Sequence, residues 1–228
     1  MKWIVDFLTS SIGRKLTMSL TGLFLILFLT VHLIGNLQLI AGDGGRAFNE
    51  YSLFMGHNPF IQTVSIGNFF FILLHAIQGI LLALKNKKAK GGKYAVASKD
   101  KTSWSSKNMA LLGTLILAFL LMHLGHFWSQ FKFNSGSQPM ISYEGVEMID
   151  AYTKVVGVLI NPVWLVAYLV GLLVLALHLN HGFASAFQTL GLRHKKYTPL
   201  ISGLGKAYSI LIPLGFAIIP LYLFFTQS

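Results

Sequence analysis

Apolar residues fall into five long stretches along the chain, each free of Asp, Glu, Lys and Arg. Each stretch is long enough for a helix to cross the roughly 30 Å of a bilayer's hydrocarbon core. The stretches are residues 19–40, 61–84, 108–131, 155–188 and 207–228. Because only hydrogen-bonded helices or closed barrels satisfy the backbone in lipid, this pattern predicts an all-α integral membrane protein. We expect five transmembrane helices in one bundle, with residues 1–228 forming a single domain.

The fourth stretch, residues 155–188, is longer than one crossing requires. It is expected to tilt or to extend beyond the bilayer, with Asn161-Pro162 marking its start or a kink. The first stretch is too long and too far from the N-terminus for a cleavable signal peptide, so we expect it to be retained.

Basic residues are concentrated on one side of the predicted bundle. The N-terminal segment and the loops 85–107 and 189–206 hold 15 of the 18 Lys and Arg residues. The remaining loops hold the other three together with five of the seven acidic residues. Because basic loops stay in the cytoplasm, the N-terminus is predicted to be cytoplasmic and the C-terminus outside.

Composition supports a membrane environment and restricts the available chemistry. Hydrophobic residues make up 54% of the chain and charged residues 11%, against roughly 25% charged in soluble domains. The net charge of +11 is explained by the enrichment of Lys and Arg in the loops on one side of the bundle. This distribution indicates membrane lipid, not nucleic acid, as a partner. With no cysteine, the chain has no disulfide, iron–sulfur ligand or covalent haem attachment. A metal would need nitrogen or oxygen ligands.

Histidine is the abundant nitrogen ligand, and six of the eight histidines lie inside the apolar stretches. An ionisable side chain within a membrane span is costly and marks a functional site by default. The six are His32, His75, His123, His126, His178 and His181. His57 and His194 fall in loops, where we expect them to be solvated or interfacial.

Depth arranges four of these histidines into two levels. His32 and His123 each lie eight residues from the outer end of their span, about 12 Å deep. His75 and His178 lie nine and ten residues from the inner end, about 14 Å deep. Two histidine pairs on different helices are the ligand set of two stacked b-type haems.

Two alternatives remain open on the residues alone, and nearby glycines bear on the choice between them. His126 and His181 lie one turn nearer the surface than His123 and His178, and spacing does not decide which neighbour binds metal. A haem-free transporter in which histidines relay protons is a different class of function. Glycines at positions 35, 79 and 182 lie one turn from histidines and would leave room for a flat macrocycle.

Several short motifs, taken in order, resemble one family. The chain resembles the single-chain, di-haem cytochrome b subunit of succinate:quinone oxidoreductases, which are succinate dehydrogenases and fumarate reductases. The motifs are Thr21-Gly22-Leu23-Phe24-Leu25, His32-Leu33-Ile34-Gly35-Asn36, Leu74-His75-Ala76 with Gly79, Met122-His123-Leu124, and His178 with Gly182. The likeness covers nearly the whole chain, including five spans and a basic loop after the second.

The resemblance implies specific ligands. It selects His32 with His123 for the outer haem iron and His75 with His178 for the inner haem iron. It also implies that Ser19 contacts a haem propionate. Some fumarate reductases of this kind carry a glutamate two residues before the fourth ligand, linked to transmembrane proton movement. Here that position is Ala176, so this proton route is not expected.

The resemblance also implies partners and a location. A flavoprotein subunit and an iron–sulfur subunit are expected on the cytoplasmic face of a bacterial inner membrane. Quinone, with menaquinone favoured over ubiquinone, would exchange in the membrane. The chain would then be the electron-relaying anchor of an enzyme whose dicarboxylate chemistry lies in other subunits. Glu50, on the outer side, is a candidate for quinone protonation. A quinol-oxidising subunit of nitrate reductase or hydrogenase type is the alternative with the same haems.

Overall fold

The computed structural model describes residues 2–89 and 104–227, which form ten α-helices, two short 3-10 turns and one β-hairpin. In chain order the elements are α1 (Lys2–Thr9), α2 (Ser11–Asn36), a 3-10 turn (Leu37–Ile40), α3 (Arg46–His57), α4 (Pro59–Ala89), α5 (Trp104–Lys107), α6 (Met109–His126), α7 (Trp128–Phe133), a second 3-10 turn (Ser135–Ser137), β1 (Met140–Tyr143), β2 (Val146–Ile149), α8 (Ala151–Leu159), α9 (Pro162–Thr189) and α10 (Thr198–Gln227). Most of the lysine-rich 85–107 loop, residues 90–103, lies outside the described residues.

The predicted all-α membrane bundle is confirmed. Five helical segments in the described ranges are long and apolar enough to cross a membrane. They are Ser11–Ile40, Pro59–Lys88, Met109–Phe133, Pro162–Thr189 and Thr198–Gln227. Most of their side chains face outward, as expected for helices whose surroundings are lipid.

The fourth span differs from the predicted 155–188 segment because two helices occupy that range. α8 ends at Leu159, and α9 begins at Pro162. The Asn161 side chain accepts hydrogen bonds from the backbone N–H groups of Val163 and Trp164 at 3.0 and 3.3 Å. An amide cap followed by proline at the first helical position is a strong helix start. The excess length therefore belongs to a separate helix.

The first and fifth spans are longer than predicted at their N-terminal ends. α2 begins at Ser11 instead of residue 19, and α10 begins at Thr198 instead of residue 207. The charge-free criterion excludes Lys15 from the predicted first span and Lys206 from the predicted fifth span. Long basic side chains can reach the headgroup layer from inside a helix, so a lysine near a helix end does not stop it.

A small cap closes one end of the bundle. β1 and β2 pair antiparallel with Met140 opposite Ile149, and the turn between them has positive φ at Glu144 and Gly145. A core of buried residues joins this cap to the spans: Leu39, Phe48, Ala151, Val155, Val156, Leu159, Tyr168, Ile219 and Leu223. We call this the capped end.

A buried asparagine fastens the cap. Asn49 on α3 is 1% exposed, and its Oδ1 accepts a hydrogen bond from the Tyr152 N–H at 2.8 Å. Its amide nitrogen donates to the Asp150 carboxylate at 3.1 Å. These bonds hold α3 against the start of α8, beside the helix end that carries His32.

The end of the bundle opposite the cap carries a group of basic residues. The Lys85 Nζ, near the end of α4, lies 2.5 Å from the Ser11 Oγ at the start of α2. Arg14 and Lys15 follow on α2, and Lys87 and Lys88 lie in the last turn of α4. We call this the basic end.

Candidate functional site

Four histidines form two pairs, and in each pair the two imidazole rings face each other from different helices. The ring centres of His32 on α2 and His123 on α6 are 5.8 Å apart, with planes at 89°. The ring centres of His75 on α4 and His178 on α9 are 6.4 Å apart, with planes at 66°. These are the two pairs that the sequence places at two depths. We call His32 and His123, nearer the capped end, the outer pair, and His75 and His178, nearer the basic end, the inner pair.

The separations match those of two imidazoles bound to one metal from opposite sides. A metal–nitrogen bond is about 2 Å long, and an imidazole centre lies about 1 Å beyond its nitrogen, so the centres should be about 6 Å apart. Both pairs meet this distance. In the described ranges no cluster of three or more His, Asp or Glu side chains is found. Either pair could hold a metal ion only together with further ligands from outside the described chain.

The remaining histidines of the spans have different neighbours. The His126 Nδ1 lies 3.2 Å from the Tyr168 hydroxyl, and its ring packs against Trp164 with centres 4.4 Å apart. The His181 Nε2 lies 3.2 Å from the Ser185 hydroxyl, one turn further along α9. Their recorded partners are thus hydroxyls and aromatic rings.

Thr21 on α2 contacts one nitrogen of His75. The Thr21 hydroxyl lies 2.7 Å from the Thr17 carbonyl, to which it can donate its single proton, and 3.1 Å from the His75 Nδ1. With the hydroxyl proton on the carbonyl, the Nδ1 would donate the ring proton to the Thr21 oxygen. The Nε2 would then keep a lone pair for a metal. The sequence analysis names Thr21 only as part of a motif, because a threonine within a span gives no sign of a contact with a histidine 54 positions away.

Buried polar atoms without a partner also mark the site. In the described part of the chain, they include the Nδ1 atoms of His123 and His178 and the side-chain oxygens of Asn68 and Gln78. A buried group left without its hydrogen bond costs roughly 1–3 kcal/mol. Because imidazole binds metal through either ring nitrogen, a bound metal would relieve part of this cost. Asn68 and Gln78 lie on α4, the helix that carries His75, but neither lines the cavity beside it.

Aromatic rings surround the outer pair. Phe28 stacks on His32 at 5.3 Å between centres, and Phe216 of α10 lies 5.5 Å from the same ring. Phe119 stacks on His123 at 6.1 Å. The Asn36 amide nitrogen approaches the His32 Nδ1 at 3.4 Å and donates to the His32 carbonyl at 2.8 Å. The neighbours of the outer pair are therefore mainly aromatic rings.

A cavity of about 330 Å³ borders the inner pair. Its volume lies within the range of roughly 300–1,000 Å³ that cofactor sites occupy. Both His75 and His178 line it, and most of the other walls are aliphatic. At its basic-end mouth are polar side chains: Lys15, Ser19, His181, Ser185 and Thr189. A flat apolar macrocycle with carboxylates on one edge matches this distribution of polarity.

The glycines near the histidines have unequal surroundings. A Cβ at Gly182 would meet nothing within 4 Å, so this position opens into the cavity. A Cβ at Gly22 would lie 3.3 Å from the His75 Cε1. Gly79 instead packs against Met18, and Gly35 against the Tyr51 ring. The expected room for a macrocycle is thus present at Gly182, whereas Gly35 and Gly79 serve helix contacts.

Ser19 and Glu50 occupy very different positions. Ser19 is buried and lines the cavity, but its hydroxyl donates to the Lys15 carbonyl at 3.0 Å. It would have to release this bond to donate to a carboxylate. Glu50 accepts a hydrogen bond from the Arg46 Nε at 2.7 Å, and its side chain is half exposed at the capped end. The hydrogen bond and charge of Arg46 also lower the pKa of the Glu144 carboxyl.

No protein-family model, curated protein or solved structure matches this chain.

A change at Thr21 tests the tautomer argument. Thr21→Val keeps the shape of the side chain but removes the oxygen that accepts from the His75 Nδ1–H. Losing such an orienting partner typically weakens metal binding by about 10–100-fold. If the inner pair holds a haem, as proposed below, we expect it to leave the variant faster when a haem-scavenging globin is added in excess.

Thr21→Ser is the matched control, because it restores the hydroxyl without the methyl group. It should retain the inner haem as the unchanged protein does. Equal haem loss from the Val and Ser variants would mean that packing of the Thr21 methyl, and not its hydrogen bond, positions His75.

Proposed function

We propose that this chain is the membrane-anchor cytochrome b subunit of a succinate:quinone oxidoreductase, relaying electrons between cytoplasmic redox subunits and quinone. The observation that carries this proposal is the pairing of His32 with His123 and of His75 with His178 at bis-imidazole distances. The order of short motifs around these histidines supports the choice of family. The basic end supports cytoplasmic placement of that face.

Each pair of imidazoles would hold one haem b, which when bound supplies a one-electron couple that the protein side chains lack. The residues contribute position and environment. His75 would present its Nε2, since its Nδ1 faces the Thr21 hydroxyl. At the other level, Phe28 and Phe216 exclude water from His32. A low dielectric around each site favours the state of lower charge and thereby shifts its potential.

Two levels of imidazole pairs suit transfer across the bilayer. The inner pair lies near the basic end, where the expected iron–sulfur subunit would dock. The outer pair lies near the capped end, beside the His126, Trp164 and Tyr168 side chains. Quinone, as the exchangeable two-electron carrier, would deliver or collect electrons in single steps.

A redox titration tests the proposal. The membrane complex purified with its co-purifying subunits is poised at controlled potentials, and the b-haem α-band is recorded. We expect two haem transitions, and we expect succinate to reduce haem or fumarate to reoxidise it. The reason is that a flavoprotein partner would connect dicarboxylates to both histidine pairs.

Other outcomes contradict the proposal in distinguishable ways. Two transitions that do not respond to succinate or fumarate would keep the four ligands but move the chain to another respiratory complex. A molybdenum or nickel protein among the co-purifying subunits would then indicate the nitrate reductase or hydrogenase type. The absence of any b-haem band would favour a proton-relay role for the histidines.

A further inference from the structure

The N-terminal helix α1 has an apolar face that nothing in the described structure covers. Every residue of α1 is exposed, including Trp3 at 72% and Val5 at 58%. At 3.6 residues per turn, Lys2, Asp6 and Thr9 lie together on one face. The large apolar side chains occupy the rest of the helix: Trp3, Ile4, Val5, Phe7 and Leu8.

This helix cannot be part of a membrane span. Its eight residues cover about 12 Å, well short of the hydrocarbon core. Ser10 separates it from α2 with an extended backbone conformation. The helix axis therefore changes direction at Ser10, immediately before the first span begins.

The bend at Ser10 is held by hydrogen bonds. The Ser10 hydroxyl donates to the Phe7 carbonyl at 2.7 Å and accepts from the Gly13 N–H at 2.9 Å. The Arg14 Nε donates to the Thr9 carbonyl at 3.0 Å. The Phe7 carbonyl also lies directly against the Gly13 α-carbon, where any Cβ would overlap it. The direction of α1 relative to α2 is thus built into the fold.

The bend places α1 beside the basic end of the bundle. The Lys85–Ser11 contact brings the end of α4 level with the start of α2. Cations gather at this level, with a single acidic side chain, Asp6, among the described residues of α1 and the adjoining helix ends. They are Lys2, Arg14, Lys15, Lys85, Lys87 and Lys88. An apolar helix face beside a cluster of cations is the pattern of a helix that lies in an anionic lipid interface.

We propose that α1 lies flat in the headgroup layer at the basic end, with its apolar face in the acyl-chain boundary and the cations beside anionic phospholipid. Burial of the exposed tryptophan and aliphatic side chains in lipid provides the driving force. Asp6, on the opposite face of α1, then points toward water. The proposal does not rest on the proposed electron-transfer function, since α1 contains none of the histidines and none of its residues lines the cavity.

The absence of cysteine makes the test direct, because a single introduced thiol is the only labelling site. Ile4→Cys places a nitroxide label on the apolar face, and Asp6→Cys places one on the polar face two residues away. The full-length variants are reconstituted in phosphatidylcholine vesicles with and without phosphatidylglycerol. Collision rates with oxygen, which concentrates in lipid, are compared with those of a water-soluble nickel complex.

We expect the ratio of oxygen to nickel collisions to be several-fold higher at position 4 than at position 6. The contrast should increase when phosphatidylglycerol is present, since the anionic headgroups attract the cations. Circular dichroism of both variants checks that the helices remain folded.

Two results would overturn the proposal. Equal, high nickel accessibility at both positions would place α1 in water. A contrast that appears only in the complex with its co-purifying subunits, and is lost in vesicles of the isolated chain, would make a protein surface the partner of α1.

Discussion

Replacing His75 with alanine is expected to remove the inner haem completely while the outer haem stays in place. His75 is one of only two imidazoles that meet at the inner level, 6.4 Å apart between ring centres. A haem at this level would lose one of the two protein nitrogens that would hold it, and the single remaining imidazole is not expected to retain it through purification. The haem absorbance per chain in the dithionite-reduced spectrum should fall by about half, because the outer ligands are on other helices.

His32→Ala should give the reciprocal result, with the outer haem lost and the inner one retained. His32 faces His123 and makes no recorded contact with the inner pair. His181→Ala is the matched control. This histidine also borders the inner cavity, but its recorded partner is Ser185 and not a second imidazole. Equal loss of haem from His75→Ala and His181→Ala would contradict the assignment, and loss of both haems from a ligand variant would indicate a folding defect.

The five transmembrane helices can be predicted from the stretches of sequence that lack charged residues. Five charge-free stretches identify the spans, because a charge at the bilayer centre is costly. The same criterion misplaces ends: it stops at Lys15 and Lys206, although helices continue past both. The cap was also missed, although the Glu144-Gly145 turn between two four-residue strands is a readable hairpin signal. Short strands carry little signal beside spans of this length.

The site is less accessible to sequence reasoning than the fold. Depth arithmetic groups His32 with His123 and His75 with His178, because rise per residue is constant in a helix. It cannot say which way a side chain points, so His126 and His181 stay equivalent to their neighbours until three-dimensional contacts separate them. The Thr21–His75 bond joins residues 54 positions apart on different helices. No local sequence pattern predicts such a contact.

Filling the inner cavity should remove the inner haem without changing any ligand. Gly182 lies one turn after His178, lines the cavity, and has open space where a Cβ would project. In Gly182→Leu the isobutyl group would occupy volume that a macrocycle beside His178 requires. Because no atom within 4 Å opposes the added Cβ, the helix packing itself should tolerate the change. We expect a folded protein that retains the outer haem and lacks the inner one in its reduced spectrum.

Gly182→Ala separates the presence of a Cβ from the filling of the cavity. A single methyl group removes little of the roughly 330 Å³, so the inner haem should still bind. A different control is Gly171→Leu, in which the new side chain would run into the Phe119 ring. That substitution should damage the packing of α9 against α6 and lower the thermal stability of the whole bundle. If Gly182→Leu instead retains both haems at full occupancy, the cavity is not the haem pocket, and the inner pair must bind its ligand from another side of α9.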